Sequence, residues 1–153
     1  MGNAREEAAA EAAATLAAAN QGGQIASTPL MVASRAGDAA LVQTLVDAGA
    51  IVDERNSFSM TALSLASAGG HEHAIRVLLS AGAAVGLVDV DGHSALSHAS
   101  FNGRTGAARV LVAAGAPLSP PGRRGSCATP LAIAQEIRHA ALESLLVAAG
   151  AAL

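Results

Sequence analysis

The chain has no lysine, tryptophan or tyrosine, a single cysteine and two phenylalanines among its 153 residues. Each scarcity narrows what it can be. A nucleic-acid binder is expected to carry a basic stripe interleaved with aromatic residues. Here the net charge is −3, all 9 basic residues are arginine, and the one adjacent basic pair, Arg123–Arg124, has no aromatic neighbour. Nucleic acid is therefore not expected as a partner. No apolar run approaches the roughly 18 residues of a membrane-spanning helix, so membrane insertion is not expected either. The start, MGNAREEAAAEAAATLAAAN, is acidic and has neither a basic region leading into an apolar core nor an arginine-rich transit pattern. These features lead to the expectation of a cytoplasmic chain in a reducing compartment, with Cys127 an inert free thiol. Met1-Gly2-Asn3 resembles an N-myristoylation start, but Glu6 stands where serine or threonine is wanted.

Charge is scarce as well. Charged residues make up 14% of the chain, against about 25% in ordinary soluble domains. Two readings stay open. Alanine, the best helix former, fills exposed helical positions without harm, or much of the surface is covered by other subunits.

What the chain has in abundance is repetition. TPLMVASRAGDAALVQTLVDAGA starts at Thr28, TALSLASAGGHEHAIRVLLSAGA at Thr61, SALSHASFNGRTGAARVLVAAGA at Ser94 and TPLAIAQEIRHAALESLLVAAGA at Thr129. The spacings are 33, 33 and 35 residues. A period of this size means stacked supersecondary units, each unable to bury its own apolar face alone. Every unit opens on a hydroxyl residue suited to cap a helix. Pro29 and Pro130 follow at the first helical position, where a missing N–H costs nothing. Ala33, Ala66, Ala99 and Ala134 supply the small side chain that lets neighbouring helices approach. Gly37, Gly70 and Gly103 stop the first helix, and Gly49, Gly82, Gly115 and Gly150 stop the second. Between units lie stretches rich in turn formers, such as Asp91-Gly92 and Pro120-Pro121-Gly122, expected to project as fingers.

This pattern resembles the ankyrin-repeat family over residues 28–151. The resemblance implies an all-α solenoid of stacked helix-turn-helix pairs with protruding finger loops. The expected organisation is a single domain over 1–153: a capping helix and loop over 1–27, then repeats at 28–60, 61–93, 94–128 and 129–153. Residues 4–20 are read as the second helix of an incomplete N-terminal repeat. Three departures stand out. The family's histidine after the leucine is replaced by Met31, Ser64, Ser97 and Ala132, Arg138 takes a glycine position, and Glu143 replaces an apolar residue on the outward side of the last unit.

No constellation for catalysis is present. Gly22-Gly23 is too short to cradle phosphate, and a lysine-bearing phosphate loop is excluded. His71 and His73 are two apart and face different ways, so they do not chelate one metal. His71 and His139 occupy a position where the family commonly has a structural histidine. Asp89 and Asp91 read as turn residues, and His93 is a weak candidate base for Cys127. No enzyme activity, cofactor or metal is expected.

The resemblance implies protein binding on a concave face made by the fingers and each first helix. Both aromatics fall there: Phe58 on the first finger, Phe101 at the end of the third unit's first helix. Around them lie Arg35, Arg55, Met60, Val88, Val90, Asp91, His93 and Asn102, and the third finger adds Arg123 and Arg124. Aromatic and arginine anchors often contribute about 2 kcal/mol or more apiece to an interface. The alternative for Phe101 is packing back onto a neighbouring helix, and for Val88 and Val90 pairing between fingers. The functional expectation is an accessory subunit of a larger protein assembly; the alternative is a free adaptor or inhibitor of one partner.

Overall fold

The computed structural model describes residues 27–119 and 129–151, with Ala4 and Glu7. The expected capping helix over 4–20 lies outside the described residues except for Ala4 and Glu7, which are helical. Arg123, Arg124 and Cys127 lie outside them too.

Eight helices form four pairs among the described residues: α1 Pro29–Ala36 with α2 Ala39–Asp47, α3 Ala62–Gly69 with α4 Glu72–Ser80, α5 Ala95–Phe101 with α6 Thr105–Ala113, and α7 Pro130–Glu136 with α8 Ala140–Ala148. The odd-numbered helices stack on one another as an inner row, and the even-numbered ones as an outer row. The chain is thus an all-α solenoid.

Local chemistry explains where each inner helix begins. Thr28, Thr61, Ser94 and Thr129 are extended, and their hydroxyls accept from the amides of Met31, Ser64, Ser97 and Ala132 at 3.2–3.3 Å. This satisfies a donor that the first turn leaves orphaned. The family's missing histidine has a partial substitute: the Ser64 and Ser97 hydroxyls lie 3.2 Å from those of Thr61 and Ser94. These polar atoms are therefore buried with partners.

The inner helices stop where the backbone turns left-handed, at Gly37 (φ 79°), Gly70 (φ 74°) and Gly103 (φ 63°). At Gly37 a Cβ would also run into the His71 ring, and at Gly70 it would lie 2.7 Å from the Arg104 chain. The next unit therefore fills the space that a side chain would need. In the fourth unit Arg138 adopts φ 55° in that position. The outer helices all end in the same way. Ala50, Ala83, Ala116 and Ala151 donate back to Leu45, Leu78, Leu111 and Leu146 at 3.0 Å, the outer bond of a Schellman closure.

The core repeats with the sequence. Leu30, Leu63, Leu96 and Leu131 are buried under the inner row, and Leu45, Leu78, Leu111 and Leu146 under the outer row. Ala33, Ala66, Ala99 and Ala134 are buried where inner helices meet. Val42, Ile75 and Ala108 are buried between outer helices, and at the matching place Glu143 is half-exposed and accepts from Gln135 at 3.3 Å. His71 Nε2 donates to the Arg35 carbonyl of the preceding unit at 3.1 Å, and Arg104 Nε to that of Ala68 at 3.4 Å. His139 Nδ1 instead accepts from the Leu142 amide of its own helix at 3.3 Å. These histidines hold units and caps together.

Candidate functional site

The fingers that follow α2 and α4 rise beside the inner row, and each tip is organised by one side chain. In the first, Asn56 Oδ1 accepts from the amides of Phe58 and Met60, both at 3.0 Å. The Asn56 amide donates to the Met60 carbonyl at 3.1 Å, and Ser59 takes φ 56°. In the second, Asp89 Oδ1 accepts from the amides of Asp91 (3.0 Å) and His93 (2.9 Å), while Gly92 takes φ 83°. A single antiparallel bridge pairs Val88 with Ser94 at the base of this tip. The two tips also join, since the Val90 amide donates to the Phe58 carbonyl at 3.0 Å.

With the backbone so fixed, the candidate side chains find their places. Phe58 is 57% exposed, Phe101 45% and Val90 51%. Arg35, Arg55, Asp91 and Asn102 are exposed, whereas Met60, Val88 and His93 are half-buried. Asn102 donates to the His98 carbonyl at 2.8 Å. Phe58, Met60 and Arg35 come together around a groove of about 790 Å³ that Asn56, Leu65, Ala68 and Gly69 also line. Phe101 belongs to a second cluster. The His93 ring meets it edge-on at 5.0 Å and stands 5.9 Å from the His98 ring. Val90 takes part in finger pairing through its backbone and keeps its side chain outside.

His98 is the residue that reading the sequence missed. Its Nε2 donates to Asp89 Oδ2 at 2.9 Å, and the carboxylate side chain is 6% exposed. Asp89 is thus more than a turn residue: it pins the second finger to α5. Burial lowers the His98 pKa from its ordinary 6.5, against the opposing pull of the Asp89 carboxylate; His93 lowers it a little further. The signal was present in the sequence. The positions equivalent to His98 are Val32, Leu65 and Ile133, so a histidine breaks an apolar column.

Metal chemistry finds little room here. Asp89, Asp91 and His93 bring ligand atoms within 4.8 Å of one another. The Asp89 oxygens, however, are already taken by two backbone amides and by His98. A cation would have to displace these bonds.

A family model described as ankyrin repeats, in 3 copies, matches residues 8–89 and 30–121, together most of the chain. The chain belongs to the ankyrin-repeat family. No curated protein matches it in sequence. Ankyrin repeats generally mediate protein–protein interaction and are in general non-catalytic. None of the described helices is long and apolar enough to cross a membrane.

Proposed function

We propose that this ankyrin-repeat chain is a non-catalytic accessory subunit of a larger cytoplasmic protein assembly, gripping its partner through the finger-and-inner-helix face. The observation that carries the reading is the placement of the two aromatics. A chain with two phenylalanines has every energetic reason to bury them, yet Phe58 and Phe101 stand 57% and 45% exposed on that one face. Exposed aromatic anchors dominate interface energetics. Membership of an assembly, as opposed to regulation of one partner, is supported by apolar exposure elsewhere. Val147 on α8 is 43% exposed and Ile51 in the loop after α2 is 67% exposed, while only 14% of residues are charged.

A photocrosslinking residue placed at position 58 or 101, with Arg109 on the outer helix α6 as a control, tests this in the native cell. Positions 58 and 101 should crosslink to protein, and the native chain should elute with a large complex. Crosslinks from 109 alone would place the interface elsewhere. Elution with one small partner would favour an adaptor or inhibitor.

A further inference from the structure

The groove between the first finger and helices α1 and α3 has a definite chemistry. Its apolar wall is Phe58, Met60 and Leu65, and the methyl of Ala68 and the bare backbone of Gly69 leave it open. The wall is held in advance, because Asn56 Oδ1 accepts from the amides of both Phe58 and Met60. A pre-set loop loses little freedom on binding. Arg35 is the single charged residue among the described ones lining the groove. Its carbonyl is used by His71, but its guanidinium makes no ion pair among the described residues. Arg76, in contrast, is paired with Glu72 at 3.5 Å. Arg55, also exposed, stands on the same finger beside Asp53, whose carboxylate accepts from the Ala84 amide at 3.0 Å, and Glu54, which lines a separate pocket. The groove is therefore apolar on one side and positive at Arg35 on the other, with no carboxylate among the described residues that line it.

We propose that this groove seats an acidic segment of the partner protein, with a large apolar side chain against Phe58, Met60 and Leu65 and a neighbouring carboxylate on Arg35. The assignment rests on the protein-binding reading above and adds the chemistry of what is bound. An Arg–carboxylate pair is charge-assisted and can be bidentate, so it fixes register as well as adding attraction. A basic segment would set a cation against Arg35, the like-charge juxtaposition that excludes wrong partners.

The test is selection of a phage-displayed library of random 12-residue peptides against the full chain. The expected peptides place Asp or Glu close to Leu, Ile, Met or Phe. A synthetic peptide from that set should bind about tenfold more weakly to Arg35→Glu, more weakly to Arg35→Gln and Phe58→Ala, and unchanged to Arg109→Glu. Replacing its acids with lysine should restore binding to Arg35→Glu. Circular dichroism identifies any variant that is not folded, and Arg35→Gln then carries the comparison. Peptides without an acidic preference, an affinity indifferent to Arg35→Glu and Arg35→Gln, or recovery of no peptide at all would overturn the proposal. If crosslinks from 58 and 101 persist in that case, the face still binds protein and only the acidic groove is lost. If the crosslinks fail too, the functional reading falls with it.

Discussion

The fingers after α2 and α4 lie 33 residues apart and follow one backbone plan, with different chemistry at each matching position. Asn56 and Asp89 organise the tips through the same pair of amide bonds. Ser59 and Gly92 both turn left-handed, at φ 56° and 83°. Asp89 also carries a charge, and the helix beneath offers His98 to receive it. Beneath Asn56 the equivalent residue is Leu65, which lines a groove instead. The second finger is thus fastened to the stack through a buried polar pair, whereas the first stands over an apolar trough. One scaffold can so spend the same position on anchoring in one unit and on an open surface in the next.

The largest effect expected from this difference is at the organising side chains. Asp89→Ala strands two amides and removes the His98 contact, and should cost about 3 kcal/mol of unfolding free energy in urea. Asn56→Ala should cost about half that. Equal losses would mean that the His98 bond contributes nothing. The turn residues come next. Gly92→Ala puts a Cβ on a left-handed backbone and should destabilise by about 1.5 kcal/mol. Ser59→Gly relieves that strain at some entropic cost and should stabilise by about 0.5 kcal/mol.

The helices beneath the fingers extend the comparison. The Ser67 hydroxyl donates to the Leu63 carbonyl at 2.7 Å, while that of Ser34, buried in α1, has no partner among the described residues. Ser34→Ala should therefore raise the thermal midpoint, by about 1 kcal/mol of stability, and Ser67→Ala should lower it slightly. The smallest effect is titration. The folded pKa of His98 is lowered from 6.5, chiefly by burial, so the folded state prefers the neutral ring and the unfolded chain takes up the proton first. Stability present above about 6.5 should fall as pH drops through the folded value. Asp89 and His93 face this ring. His98→Gln, which can still donate to Asp89, should flatten the acid side of a stability-versus-pH curve relative to the native chain.

Much of this was legible in the primary structure. The hydroxyl caps, the closing glycines and the core leucines recur at fixed offsets, because each is required by a backbone feature that every unit shares. The left-handed turn at Arg138 and the outward Glu143 could be placed by register alone. The candidate face was readable only by subtraction, as the side chains left over once the repeat was built. His98 escaped because its role depends on a carboxylate nine residues earlier in another element.

Periodicity alone determined that this chain is a stack of helix pairs, since local capping and apolar spacing are near-neighbour properties that survive without knowledge of the fold. Which leftover residues meet was decided only in three dimensions. Arg35, Phe58 and Leu65 share a groove, and Asp89 reaches His98, because stacking brings a finger over a helix from another unit. That packing geometry, which no single repeat contains, turns scattered side chains into a surface.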